Sequence, residues 1–149
     1  MKLRILIAAF ALACLLGSEQ SLAQNAYITN STFNSVSVID TATNKVAATI
    51  SVGVTPFGVA VTRDGSKVFV VNANFPSNSV SVIDTATNMV TATIPVGSGD
   101  VPEPRAAAVT PDGSKVYVTN ANVDTVSVIN TELSPHFGDG MKDQAAAWG

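Results

Sequence analysis

Cysteine and histidine are nearly absent from this chain of 149 residues. The one cysteine, Cys14, lies in an apolar N-terminal run, and the one histidine, His136, lies close to the C-terminus. Without the N-terminal run the chain has no thiol, which excludes a disulfide framework and thiolate chemistry. A Ser-His-Asp triad would depend on His136 alone. The fold must therefore be held by burial and hydrogen bonding, and the sequence predicts no catalytic constellation.

Clustered positive charge is also missing. The formal net charge is −3, and the lysines and arginines are scattered singly, so the basic surface that binds a phosphate backbone is absent and no nucleic-acid partner is expected. The sequence "GSGD" at Gly97 runs into two prolines, which cannot begin a dinucleotide-binding helix. His136, Asp139 and Asp143 do not have the usual spacing of metal ligands. We therefore predict neither a metal nor a cofactor.

Long hydrophobic runs are limited to residues 5–16, which are too few to cross a bilayer. Two basic residues precede this run, and the small residues Ser21 and Ala23 follow it. These three parts predict a secretory signal peptide over residues 1–23, cleaved after Ala23. We therefore expect an exported protein, periplasmic, extracellular or at the cell surface, with no membrane span after cleavage.

What the chain does contain is repetition. "VSVIDTATN" occupies residues 36–44 and again residues 80–88, and "VSVIN" begins at Val126. Other short words recur with it: "YITN", "VVN" and "YVTN"; "VAATI" and "VTATI"; "DGSK" twice; and "PFGVAVT" answered by "PRAAAVT". These words are rich in Val, Ile and Thr and are separated by turn residues, which is typical of short β-strands. Four short strands in a repeat of about 40–45 residues are typical of one blade of a β-propeller.

The turns between the words are specific. Asp64-Gly65 and Asp112-Gly113 supply the residue with positive φ that a tight hairpin needs. The segment from Asp40 to Asn44 can close a turn through Asx-type hydrogen bonds. The repeated turns therefore predict antiparallel strands joined by short connections.

Residues 56–97 resemble the YVTN-type β-propeller repeat, a WD40-like repeat of exported and surface-layer proteins, because four separate words follow the family order. The resemblance implies an innermost strand A ("PFGVAVT"), then B ("KVFVVN"), C ("VSVID") and D ("MVTATI"). It also implies a closed ring of several blades in the complete family members. The fold class predicted here is all-β, an incomplete β-propeller of about two and a half four-stranded antiparallel blades.

The predicted organisation follows from these words. It comprises a signal peptide (1–23), a first blade of strands B, C and D (24–55), a full second blade (56–103), a third blade of strands A, B and C (104–130), and an aberrant, disordered tail (131–149). Ten strands are too few to close a ring. The chain is therefore either a truncated or frame-shifted remnant of a longer propeller, or a small protomer completed by association with other blades or subunits.

Functional residues are expected on the face that carries the B–C and D–A loops, because these loops differ in length from blade to blade. The D–A loop from Gly97 contains Asp100 and Glu103, and Arg105 follows at the start of strand A. We expect Arg105 to hold an anionic group that Asp100 or Glu103 orients, with a local ion pair as the structural alternative.

Asn74 and Phe75, in the longest B–C loop, complete the candidate ligand face. Asn30, Asn72 and Asn120 end every B strand, and their repetition predicts a cap of the B–C loop instead of catalysis. The favoured function is a non-enzymatic recognition module for a protein, glycan or small molecule. The alternative is part of a propeller enzyme, either a lactonase-like hydrolase or a periplasmic redox subunit. Uncovered blade ends also predict marginal stability and self-association.

Overall fold

The computed structural model describes residues 24–74, 76–97, 103–131 and 146–148. The predicted signal peptide, as well as Phe75, Asp100 and the three tail residues considered as metal ligands, lie outside the described residues. The described strands are β1 (Asn25–Asn30), β2 (Ser35–Asp40), β3 (Lys45–Ser51), β4 (Pro56–Val61), β5 (Lys67–Asn72), β6 (Ser79–Asp84), β7 (Met89–Pro95), β8 (Pro104–Val109), β9 (Lys115–Asn120), β10 (Thr125–Asn130) and β11 (Ala146–Trp148).

The strands form three antiparallel sheets with the orders β1-β2-β3, β4-β5-β6-β7 and β8-β9-β10-β11. Within each sheet, strands that follow one another in sequence are neighbours, as expected for strands joined by short hairpins. A single 3-10 turn, Ser31–Phe33, is the only helical element in the described part of the chain. The predicted fold class is therefore confirmed: the chain is all-β, and its sheets are blades of an incomplete β-propeller. We call them the first, second and third blades.

The core lies between the blades and not within them. Alternate side chains of each strand point to the following or to the preceding blade, because a strand has a period of two. Val36 and Val38 of the first blade pack with Val70 and Ile83 of the second. Phe69 and Val80 of the second blade in turn belong to the same cluster as Val118 and Ile129 of the third. The stability of each blade therefore depends on having a neighbour.

Bulges recur at equivalent places in the ladders. The β2–β3 and β6–β7 pairings both shift register within the "VI" of the repeated word. The β4–β5 and β8–β9 pairings shift after the prolines that begin the innermost strands, Pro56 and Pro104. Because bulges increase twist locally, they help each blade to adopt the twisted shape that a propeller requires.

The C-terminal tail departs from its prediction at three residues. Strand D of the third blade was expected to be missing, yet β11 pairs with β10 in that position, opposite Val126–Val128. The sequence did not reveal this strand because Ala-Ala-Trp lacks both the repeat's letters and an alternating pattern. Backbone hydrogen bonding on the exposed edge of β10 does not require particular side chains, so an unrelated sequence can fill it. The remaining tail residues, 132–145 and 149, lie outside the described residues.

Candidate ligand-binding face

The antiparallel order places the A–B and C–D turns at one end of the blades and the B–C and D–A loops at the other. We call these ends the turn face and the loop face. On the turn face, Gly65 and Gly113 adopt φ values of 72° and 75°, as predicted for the hairpins. Asn44 and Asn88 both have φ of 55°, a conformation that asparagine tolerates better than most residues. The turn face therefore repeats the same backbone geometry from blade to blade.

The aspartates of the turn face are engaged by their own turns. Asp40 Oδ1 accepts hydrogen bonds from the backbone N–H groups of Ala42 (2.8 Å) and Thr43 (2.9 Å), and Asp84 accepts from Thr87 (2.9 Å). The Thr43 backbone N–H lowers the pKa of Asp40 most, and the Thr87 hydroxyl lowers that of Asp84 most. The Asx turns predicted from the sequence are thus confirmed, and these carboxylates accept hydrogen bonds that hold the backbone of the turns.

Asp64 and Asp112 serve the A–B turns in the same way. The Thr62 hydroxyl, followed by the backbone N–H and hydroxyl of Ser66, lowers the pKa of Asp64 to about 2. Thr110 and Ser114 have the same effect on Asp112, whose pKa is also about 2. Carboxylates that are already satisfied by three donors are poor candidates for proton transfer near neutral pH.

The turn face also holds a groove of about 490 Å³ between the A–B turns of the second and third blades. Arg63, Asp64, Lys67 and Asp112 line it, together with Thr131, the last residue before a segment outside the described residues. The acidic side chains of the groove already accept hydrogen bonds from their own turns, so the groove offers few groups that could bind an additional ligand.

On the loop face, side chains of two adjacent blades form an exposed cluster. Arg105, at the start of β8, forms an ion pair with Glu103 and lies 4.6 Å from the centre of the Phe57 ring in β4. Phe57 is 41% exposed and the Arg105 side chain 43% exposed, so this cluster is accessible to solvent. A guanidinium over an aromatic face is attracted by the ring's negative charge density. The cluster thus links the innermost strands of adjacent blades.

This arrangement changes the expectation for Arg105. Its charge is balanced by Glu103, so an anionic ligand would have to compete with that carboxylate. An exposed ion pair of this kind contributes about 1 kcal/mol or less. The ion pair is therefore weak enough for an anionic group to compete with Glu103 for Arg105.

The backbone preceding each innermost strand is strained. Thr55 and Glu103, which both precede a proline, have φ of 52° and 44°. Such values are unfavourable for residues with a Cβ and especially for β-branched threonine. The carbonyls of both residues accept a hydrogen bond of 3.1 Å from the B–C loop, at Ala73 N and Ala121 N respectively. The same strained geometry is thus imposed in both blades, and it orients the start of the strand that carries Phe57 or Arg105.

Asn74 lies beside this strained position in the second blade. It is exposed, and its Nδ2 donates to Thr55 Oγ1 at 3.0 Å. Of the five predicted ligand-face residues, the structure thus brings Glu103 and Arg105 into direct contact and gives Asn74 a separate partner. Phe57, which the sequence analysis did not select, joins the site because equivalent positions of adjacent innermost strands lie side by side.

The asparagines that end the B strands have a different role from the predicted loop cap. Asn72 is completely buried, and its Nδ2 donates to the hydroxyls of Ser79 (3.1 Å) and Ser81 (2.9 Å) on the adjacent strand. Asn120 Nδ2 makes the equivalent bonds to Thr125 and Ser127. These residues tie strand B to strand C inside the blade. The signal was present in the sequence as a recurring asparagine followed by an "S-V-S" or "T-V-S" word.

The same network extends between blades through glycine. A Cβ added to Gly53 of the first blade would lie 2.5 Å from Asn72 Cγ, far closer than two carbons can approach. In the next seam, Gly97 N donates to Ser127 Oγ at 3.0 Å. Gly53 and Gly97, two residues after the ends of β3 and β7, therefore allow the backbone to contact the buried polar network of the following blade.

Residue types that hold metals are not grouped in the described ranges: no three of His, Cys, Asp and Glu lie together there. A membrane-spanning helix is likewise not found among the described residues.

Several larger proteins of known structure are similar to these sheets. Hydrazine synthase from Kuenenia stuttgartiensis is similar with a TM-score of 0.63 and 33% identity, over 72% of this chain and 29% of its own. A functionally unknown protein from Desulfotomaculum acetoxidans DSM 771 is similar with a TM-score of 0.61 and 26% identity, over 72% and 34%. Dihydro-heme d1 dehydrogenase NirN in complex with DHE matches with a TM-score of 0.61 over 72% and 22%.

Identity with the dihydro-heme d1 dehydrogenase is 19%, so this likeness shows the fold alone. The chain spans between 22% and 34% of the length of these three proteins. No protein-family model and no curated protein matches it. The comparisons thus support a β-propeller-type fold, of which this chain spans about a third or less of each neighbour's length.

Proposed function

We propose that this chain is a non-enzymatic recognition module of the YVTN propeller type, exported from the cell, which recognises a ligand through its loop face and works together with further blades. The observation that carries the proposal is the pair of open apolar blade faces. Ile28 of the first blade is 49% exposed, whereas Val70 and Val118 at the equivalent positions are 0% exposed. At the other end, Tyr117 is 43% exposed, whereas the equivalent Phe69 is 2% exposed.

These differences follow from the number of neighbours. The second blade has a blade on each side, whereas the described parts of the first and third blades have one each. Apolar surface of this kind is worth about 25 cal/mol per Å² when it is covered. Uncovered, it favours association with another set of blades. The chain spans only a minor part of each similar solved protein, which agrees with a module that is one part of a larger ring.

The loop face supports ligand recognition because its side chains differ between blades on a repeated scaffold. The cluster of Phe57, Glu103 and Arg105 combines an exposed aromatic ring with two opposite charges. Aromatic and charged groups together suit glycans, acidic small molecules or a protein segment.

The dependence on further blades is tested by the oligomeric mass and by unfolding at several protein concentrations. We expect a mass above that of the monomer and a midpoint of unfolding that rises with concentration. A monomer that unfolds in one cooperative transition at a concentration-independent temperature would contradict this part of the proposal.

Ligand recognition is tested with a panel of dicarboxylates, acidic sugars and acidic peptides, measured by titration calorimetry. Arg105→Gln should weaken the binding of an acidic probe about tenfold or more. Arg63→Gln, which removes an exposed arginine on the turn face, is the matched control and should leave binding unchanged. Equal losses in both variants, or no binding by any member of the panel, would contradict recognition by the loop face.

The second candidate is a fragment or subunit of a propeller enzyme, lactonase-like or redox. The observation that favours it is the 33% identity with a chain of hydrazine synthase. Hydrolysis of a γ-lactone by the purified chain, lost in Arg105→Gln and retained in Arg63→Gln, would favour this candidate over simple recognition.

A further inference from the structure

Among the described residues, the sheet of the first blade has no innermost strand beside β1. This sheet has the order β1-β2-β3, so β1 is an edge strand, whereas the equivalent strands β5 and β9 lie between two partners. Strand β4 does not occupy this edge, because it pairs with β5 as the innermost strand of the next blade. The contact between β1 and β4 in the described residues is made by side chains, such as Thr29 Oγ1, which donates to Phe57 O at 2.8 Å.

The backbone groups on this edge can be assigned from the complete blades. In the second blade, Lys67 O accepts a hydrogen bond from Thr62 N at 3.0 Å, on the side of β4. Hydrogen-bonding directions alternate along an antiparallel strand, so Phe69 and Val71 also face β4. The equivalent residues of β1 are Asn25, Tyr27 and Thr29.

The opposite side of β1 is fixed independently. Gln24 O accepts a hydrogen bond from Thr41 N at 3.1 Å, on the side of β2. By the same alternation, Ala26 and Ile28 face β2. Tyr27 and Thr29 therefore present their N–H and C=O groups at the edge, where a further strand can pair with them.

The register of that further strand follows from the two complete pairings. Pro56 lies opposite Asn72, and Pro104 lies opposite Asn120, with a bulge immediately after each proline. The residue of β1 at the equivalent position is Asn30. A strand added to β1 would thus begin with a proline opposite Asn30 and run antiparallel to β1.

One position of the added strand is restricted by the neighbouring blade. A Cβ on Gly58, the third residue of β4, would lie 2.6 Å from Arg105 O and 2.9 Å from Ala106 Cα. Adjacent innermost strands therefore touch through their backbones at this position. The third residue of the third blade's strand, Ala106, is exposed and has a Cβ. A strand beside β1 would have β4 as its neighbour and would meet the same restriction as Gly58.

We propose that the free edge of β1 is a docking site for an extended segment of a partner polypeptide with the pattern Pro-x-Gly followed by small or β-branched apolar residues. The glycine selects the occupant. The described strands of a second copy do not supply it, because the third residue of β8 is Ala106 and β4 already pairs with β5 in its own blade. The occupant proposed here is a partner polypeptide that carries a Pro-x-Gly strand. This inference concerns an edge distinct from the loop face, so its failure leaves the proposed ligand recognition untouched.

The experiment compares two synthetic peptides on the 149-residue chain. The first has the sequence of residues 56–62, Pro-Phe-Gly-Val-Ala-Val-Thr, and the second differs only in carrying alanine at its third position. We expect the glycine peptide to bind about tenfold or more tightly, because the added methyl group meets backbone atoms of β4. Conformational entropy and strand propensity would both favour the alanine peptide, so a preference for glycine reports the steric contact. Equal affinities, tighter binding of the alanine peptide, or no binding by either would overturn the proposal.

The place of binding is measured by amide hydrogen exchange. Exchange at Tyr27 and Thr29 should slow about tenfold or more when the glycine peptide is saturating, because their N–H groups become hydrogen-bonded. Amides of Ala26 and Ile28, which already face β2, are the internal control and should change little. Protection confined to β3 or β7, the outer edges of the first and second blades, would show pairing at another edge and overturn the assignment to β1.

Discussion

The first and second blades contain the same nine residues, "VSVIDTATN", in two different surroundings. Ile83 and Ser81 of the second blade are 0% and 1% exposed, whereas Ile39 and Ser37, the same letters in the first blade, are partly exposed. Val36 and Val80, by contrast, are both 0% exposed. The valines face a following blade that exists in both cases, and the isoleucines face a preceding blade that only the second blade has. Burial in this fold is thus a property of the neighbour as much as of the residue.

The largest expected difference between the two blades concerns the equivalent asparagines Asn30 and Asn72. Asn72→Asp should lower the free energy of unfolding by about 3–5 kcal/mol, because it buries a carboxylate and removes the two hydrogen bonds that Nδ2 donates to Ser79 and Ser81. Asn30→Asp should have less than half of this effect, because Asn30 is partly exposed. Both are measured by urea unfolding at one protein concentration, and equal losses would mean that the blades do not differ in burial.

The isoleucine of the repeated word, Ile39 in the first blade and Ile83 in the second, allows the same truncation to be compared in two surroundings. Ile83→Ala should cost about 3 kcal/mol, because Ile83 is 0% exposed and packs against the first blade. Ile39→Ala should cost about 1 kcal/mol, because the same side chain there is partly in water. Thermal unfolding of both variants measures the difference. A larger loss for Ile39→Ala would show that another set of blades covers the first blade in solution.

A smaller effect is expected at the seam between the innermost strands. A double-mutant cycle of Phe57→Leu and Arg105→Gln should give a coupling energy of about 0.5–1 kcal/mol, the range of exposed cation–π pairs. Repeating the cycle with Phe57 and Arg63, an arginine on the opposite face, should give no coupling. A zero coupling for Phe57 and Arg105 would indicate that the two side chains are apart in solution.

The least pronounced effect is on stability in acid. The pKa values of Asp64 and Asp112 are lowered from 3.8 to about 2, so the stability that they contribute is present above about pH 4 and is lost as the pH falls towards 2. Ser66→Ala removes one of the donors to Asp64 and should make the fall in stability over this window shallower. Acid titrations followed by circular dichroism test this, and an unchanged curve would contradict the role of the Ser66 hydroxyl.

Several parts of the fold could be predicted because they depend on neighbouring residues in the sequence. Alternation gave the ten repeated strands, and Asp-Gly gave the two hairpins with positive φ at Gly65 and Gly113. The Asx turn at Asp40 was also predictable, because its carboxylate bonds to residues two and three positions later. Each of these interactions spans only a few residues, so the sequence contains both partners side by side.

The candidate site was predictable only in part. Glu103 and Arg105, two residues apart, were expected as a possible ion pair, and the structure contains it. Phe57 was not included, because it lies 48 positions before Arg105 and meets it only where two innermost strands lie together. The pairing of Asn72 with Ser79 and Ser81 was missed for a related reason: a terminal asparagine was assigned to the loop, although its amide points back into the sheet.

By itself, the sequence determined the strands, the turns and the division into blades, because these rest on local backbone preferences that recur with each copy. Only the tertiary structure decided which copies of identical letters are buried, that Ala-Ala-Trp takes the place of a repeat strand, and that Gly58 must lack a Cβ. These features depend on atoms supplied by another strand or blade. Close packing between backbones far apart in sequence leaves no periodic signal along the chain.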